Sequence, residues 1–155
     1  MFDSTPLVTP VVRFPLGLIG GLLATLVMDR VMARVREGET PPTVAAGVLT
    51  QTHPDRAPER LATVVHYLAG LLTGPLFVYL LYLSEFVVGS SPLGVVAAGV
   101  VLFLLMVGFF VVVVLPRPDG LAPNRRGDIA RGWAVSAAAY VLVLVPVVAV
   151  VPTVL

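Results

Sequence analysis

The sequence predicts an all-α membrane protein in which four transmembrane helices form one antiparallel bundle. Three observations lead there. The 155 residues are 57% hydrophobic and 12% charged, with a mean hydropathy of +0.98, more apolar surface than a soluble core can hide. Four stretches, at about residues 14–35, 61–83, 94–115 and 131–154, each hold the roughly 20 mostly apolar residues needed to cross about 30 Å of hydrocarbon. The segments between them are too short for a second, soluble domain, so residues 1–155 read as a single transmembrane domain.

Ahead of the first span, Met1-Phe-Asp-Ser-Thr-Pro6 carries no basic residue. The apolar stretch behind it runs to full spanning length, so it reads as a retained helix rather than a cleaved signal peptide. Gly17, Gly21, Thr25 and Asp29 recur along this span every four residues. In the connection that follows, Thr40-Pro-Pro has the form of a helix start, a hydroxyl N-cap with proline in the first turn. It predicts a short amphipathic helix over 43–50, with Val44, Ala45, Val48 and Leu49 as an apolar strip in the membrane interface or under the bundle. His53-Pro-Asp-Arg-Ala-Pro-Glu-Arg60 reads as a turn into the second span. That span carries Ala62, His66, Gly70 and Gly74, again four apart. A tight turn over 85–92 leads to a third span with no polar side chain between Gly94 and Leu115. Residues 116–128, rich in proline, glycine, asparagine and arginine, read as an ordered loop without regular structure before the fourth span.

Charge placement predicts the orientation. All ten basic residues are arginine, and nine of them (Arg30, Arg34, Arg36, Arg56, Arg60, Arg117, Arg125, Arg126 and Arg131) flank the first or the third connection. Only Arg13 lies at the other end. Basic residues in short loops stay cytoplasmic, so a multi-pass protein of the cell membrane is expected, with connections one and three inside and both termini outside. Topology explains this asymmetry without invoking nucleic acid, and no nucleic-acid partner is expected. Arg117, Arg125 and Arg126 beside Asn124 form the densest basic group, a candidate contact for anionic lipid or an acidic partner surface.

The two four-residue rows are the most informative pattern within the spans. Residues four apart share a helix face, and each row contains a small-xxx-small motif that lets helix backbones approach closely in lipid. The rows therefore predict that the first and second spans pack through Gly17, Gly21 and Thr25 on one side and Ala62, Gly70 and Gly74 on the other. An antiparallel register that sets Gly21 against Gly74 also sets Thr25 near Gly70 and Asp29 near His66. An ionisable pair at one depth results, and ionisable groups in hydrocarbon turn to the bundle interior. A competing reading has Asp29 paired with Arg30 or Arg34 among the headgroups. Tyr140 and Ser136, deeper on one face of the fourth span, are placed to hydrogen-bond to the pair. Pro75 and Pro146 each free a carbonyl in mid-helix, which lines sites in some transporters and is tolerated in ordinary membrane helices. Trp133, Tyr79 and Tyr82 fit an interfacial aromatic belt.

The run Gly20-Gly-Leu-Leu-Ala-Thr-Leu-Val-Met28, the proline-rich start of the first connection, and His66-xxx-Gly70-xxx-Gly74 resemble a family of small four-helix integral membrane proteins of archaea and bacteria. The resemblance covers roughly the first half of the chain. It implies the membrane fold and brings no activity to transfer.

Function is constrained mainly by exclusion. With no cysteine, thiolate metal sites, iron–sulfur clusters, disulfides and cysteine nucleophiles are ruled out. Neither a nucleophile elbow, HExxH, P-loop nor Rossmann fingerprint is present, so no enzyme, catalytic residue or metal is expected. The leading expectation is a structural or accessory subunit of a larger membrane complex, embedded in lipid and bound to other subunits or to itself. The alternative is a small channel or transporter with Asp29 and His66 relaying protons. A third is a haem b subunit ligated through His66, which needs a second axial ligand from a methionine or another chain; no cofactor is otherwise expected.

Overall fold

A computed structural model of the chain describes residues 10–151, and all regular structure among them is helical. The tail before residue 10 and the expected end of the fourth span at 154 lie outside the described residues. Five helices follow in order: α1 (Pro10–Met32), α2 (Thr40–Thr50), α3 (Glu59–Val88), α4 (Pro92–Gly108) and α5 (Pro123–Ala149). A 3-10 turn, Pro54–Arg56, precedes α3, and α4 continues as a π-helical segment, Phe109–Val114. Four of them are long and apolar enough to cross a membrane: α1, α3, α4 with its π segment, and α5.

The four spanning helices form an up-down bundle in which α1 packs along α3 and α5, and α4 closes the far side against the same two. Neighbours are antiparallel. Their shared core contains Met28 from α1, Phe77 and Leu81 from α3, Leu102 from α4, and Tyr140 and Leu144 from α5. Large apolar residues such as Leu68, Leu72, Leu104 and Leu142 face outward, as helices solvated by lipid require.

The closest approach is between α1 and α3. A methyl group placed on Gly21 would lie 2.7 Å from the Gly70 carbonyl oxygen, and one on Gly17 would lie 3.0 Å from that of Gly74. One on Gly74 would collide with the Gly17 carbonyl, and one on Gly70 with the Thr25 hydroxyl. Gly21 thus sits between Gly70 and Gly74 rather than squarely against Gly74, while Thr25 meets Gly70 as the spacing predicts. Ala62, expected in the same interface, packs instead with Ala46 of α2 and Ala57, because α1 ends at Met32 and α2 covers α3 there.

Element ends differ from the sequence expectation where local chemistry overrides hydropathy. Helix α1 stops at Met32, not near Val35, and Glu37 takes a left-handed backbone (φ 55°). Helix α2 begins at Thr40, whose hydroxyl donates to Glu37 rather than capping the helix. Its buried residues are Pro41, Val44, Ala46 and Gly47, and Leu49 of the expected strip faces outward. Helix α3 persists through Glu85 to Val88, then turns at Gly89 (φ 76°); the Ser91 hydroxyl caps α4 by accepting from the Gly94 amide at 3.1 Å. The expected loop over 116–128 is helical from Pro123 onward. Proline there occupies the first helical turn, where its missing N–H costs nothing.

Two glycines separate packing from propensity. Gly21→Ala is expected to destabilise the bundle by about 1–3 kcal/mol, the range for overpacking. Gly108→Ala, in α4 with nothing within 4 Å of an added methyl, is expected to be neutral or stabilising by roughly 0.5–1 kcal/mol. Thermal unfolding in detergent checks both; equal behaviour of the two variants counts against the close α1–α3 contact.

Candidate functional site

At the arginine-rich end of the bundle, hereafter the basic end, the α1–α3 interface terminates in a polar cluster. One turn beyond Thr25 on α1, Asp29 projects toward α3, where His66 lies one turn beyond Gly70. His66 Nε2 stands 2.7 Å from Asp29 Oδ1. The hydroxyl of Tyr67 donates to Asp29 Oδ2 at 2.5 Å. Both carboxylate oxygens are therefore engaged by α3, and the His66 and Tyr67 rings meet edge to face with centroids 5.5 Å apart. Asp29 does not pair with the neighbouring arginines. The Arg30 and Arg34 guanidiniums instead donate to the Leu26 and Arg30 carbonyls of their own helix.

Tyr140 and Ser136 do not join this cluster. Tyr140 donates to the Gly70 carbonyl at 2.6 Å, and Ser136 to the Gly132 carbonyl at 2.8 Å. Gly70 is consequently a three-helix junction, with Thr25 of α1 on one side of its backbone and Tyr140 of α5 bound to its oxygen. Pro75 deprives the Leu71 carbonyl of its helical donor, and that carbonyl lies beside Gly21. Trp133 is not a simple interfacial residue. Its indole donates to the Met106 carbonyl at 3.1 Å, where α4 changes from α- to π-helical, and its ring lies 4.9 Å from that of Phe110.

Two cavities meet at His66 and Pro42. One, of about 510 Å³, is a lateral cleft between α3 and α4, roofed by Pro41, Pro42 and Ala45 of α2. The other, of about 450 Å³, opens at the basic end and is lined by Asp29, Glu39, Glu59, His66 and Tyr67. Among the described residues no three His, Asp or Glu side chains are grouped so as to hold a metal ion.

Of the basic group Arg117, Asn124, Arg125 and Arg126, only Arg117 and Asn124 are exposed. Arg125 lies inside a clasp that joins the first connection to the start of α5. Its Nε donates to Glu37 Oε1 at 3.0 Å, and its two terminal nitrogens grip the Asp55 carboxylate, each at 2.9 Å. Arg126 donates to the Pro118 carbonyl at 3.2 Å. The hydrogen bond from Thr40, with help from Arg125, holds the Glu37 carboxyl below its ordinary pKa, and the Arg125 hydrogen bonds do the same for Asp55. At the opposite end Arg13 pairs with Glu85 at 2.8 Å and lies over the Tyr82 ring, 5.0 Å from its centroid. Tyr67, the Arg125 clasp and the Arg13–Glu85 pair were not anticipated by the spacing argument. Arg13 and Glu85 carried a signal, as opposite charges expected at the same end of the bundle.

No family model, curated protein or solved structure matches the chain.

Two predictions concern these clusters. Asp29→Ala leaves His66 and Tyr67 without their shared acceptor and is expected to cost about 1–3 kcal/mol, against about 1 kcal/mol for Tyr67→Phe; circular dichroism melts in detergent compare them. The clasp predicts a pH dependence. Because both carboxyls are depressed on folding, their contribution is present above the ordinary carboxylate range of about pH 4 and is lost as pH falls through the depressed values. Arg125→Gln is expected to lower the melting temperature at neutral pH and to flatten its decline between about pH 5 and 3. An unchanged pH profile in that variant argues against the clasp.

Proposed function

We propose that the chain is a structural or accessory subunit of a larger membrane assembly, with its basic end in the cytoplasm. One observation carries the reading: the polar side chains within the bundle already have partners inside the chain, and several of them tie one helix to the next. Asp29 receives His66 and Tyr67; Thr25, Thr73 and Ser136 bond to carbonyls of their own helices; Tyr140, Trp133 and Ser84 bond to carbonyls of neighbouring elements. A proton relay through Asp29 and His66 needs a polar route onward to the other end, and beyond Thr25 the axis is filled by Phe77, Leu81 and Leu144. Haem ligation through His66 would have to displace Asp29 from Nε2. The nine-to-one arginine split supports the orientation.

Purification from native membranes in mild detergent, followed by mass spectrometry, is expected to find other chains co-migrating; a single species that migrates as a monomer overturns the subunit reading. For orientation, cysteines introduced at Ser90 and Asn124 are compared in intact cells with an impermeant maleimide. Labelling at Ser90 alone is expected, and labelling at Asn124 alone inverts the topology.

A further inference from the structure

The lateral cleft has the wrong chemistry for water and the right one for hydrocarbon. Its walls come from α3 (Ala69, Leu72 and Leu76) and α4 (Leu102, Leu105 and Phe109). The polar groups that line it, apart from His66, already donate to backbone carbonyls. Thr73 donates to the Ala69 carbonyl, Tyr140 to that of Gly70 and Trp133 to that of Met106. A cavity whose polar atoms are already satisfied stays dry and takes apolar ligands. Its volume of about 510 Å³ lies within the roughly 300–1,000 Å³ of ligand sites. The cleft is open between two helices whose flanking residues, Leu72 and Leu105 among them, face outward, so an occupant can enter sideways from the bilayer.

The second cavity selects the other half of the molecule. Three carboxylates, Asp29, Glu39 and Glu59, line it and no arginine does. Both oxygens of Asp29 are engaged, whereas Glu39 and Glu59 are exposed. A positive headgroup is attracted there and a purely anionic one repelled. We propose that the cleft between α3 and α4 binds one hydrocarbon chain of a membrane lipid whose ammonium headgroup rests in the acidic recess, with His66 at the junction. The occupant is an aminophospholipid or an amphiphile of the same chemistry. This site stands apart from the subunit reading, and either can fail alone.

The chain's single tryptophan, Trp133, lines the cleft and reports on it. The full-length protein is reconstituted in nanodiscs doped with phospholipids carrying identical brominated chains and either an ethanolamine or an anionic glycerol headgroup. Brominated chains entering the cleft quench Trp133. The ethanolamine lipid is expected to reach half-maximal quenching at about a fivefold lower mole fraction, the ratio that about 1 kcal/mol of charge attraction gives. Glu39→Gln with Glu59→Gln is expected to abolish that preference without abolishing quenching. Ala69→Phe from one wall and Leu105→Phe from the other are each expected to reduce quenching by both lipids, with helix content retained. If both filling variants quench like the unaltered chain, the cleft is not a chain site; equal quenching by the two lipids, or stronger quenching by the anionic one, overturns the headgroup assignment.

Discussion

The backbone contact between α1 and α3 is the constraint on which the rest of the bundle depends. In lipid there is little hydrophobic force to press helices together, so association rests on close packing and on polar groups with nowhere else to go. Glycine at 17, 21, 70 and 74 lets the two backbones touch, and no methyl fits at these positions without displacing main-chain or hydroxyl atoms. That contact fixes the depth register of α3 on α1. The polar residues that meet across it are positioned by the same register: Thr25 opposite Gly70, then Asp29 opposite His66 and Tyr67.

The interface is closed at both ends by charge. At the basic end Asp29 is satisfied by two donors from α3, and at the other Arg13 is held by Glu85 and the face of Tyr82. Both pairs join α1 to α3 and lie toward the ends of α1; in a bilayer an ion there is less costly than at the centre. The Arg125 clasp works differently. It sits in partly exposed surroundings, where single pairs stabilise little, but the guanidinium fork engages two carboxylates from separate parts of the first connection and so fixes the path of that connection over the start of α5.

What could be read from the sequence was what depends on periodicity and depth. Four apolar runs gave the spanning helices, and the four-residue rows set Gly21 against Gly74, Thr25 near Gly70 and Asp29 near His66; the first is offset toward Gly70 and the other two are as expected. Features set by individual side-chain directions were not legible. Tyr67 is adjacent to His66 in the chain and shares no four-residue row with it, yet the long phenol reaches the same carboxylate. Tyr140 was expected at the Asp29/His66 pair and reaches a backbone oxygen instead, since Gly70 lacks a side chain to shield its carbonyl. The helical start at Pro123 was hidden by composition: proline, asparagine and glycine suggest a loop, although proline in the first turn is also a helix signal. The clasp carried only the same general signal as Arg13 and Glu85, opposite charges expected at one end; among the many charges of the two connections, nothing in the sequence singles out Glu37 and Asp55 as the partners of Arg125.

The asymmetry of α4 follows from the same packing. At its start α4 is held close to α3, with the Ser84 hydroxyl donating to the Gly94 carbonyl at 2.7 Å and little room around Gly94. Toward the basic end α2 intrudes, its Pro41 and Val44 fully buried, and the π-helical segment packs Phe110 against Val44, Ile129 and Trp133. These contacts hold that end of α4 to α2 and α5 and leave the cleft between α4 and α3. Just ahead of the π-helical segment the indole of Trp133 bonds to the Met106 carbonyl, anchoring α4 to α5 rather than to α3. A helix without a polar side chain of its own is thus positioned at its start by a serine of α3 and near its end by a tryptophan of α5, both bonded to its backbone. Closing the cleft would require giving up the second of these bonds or expelling α2.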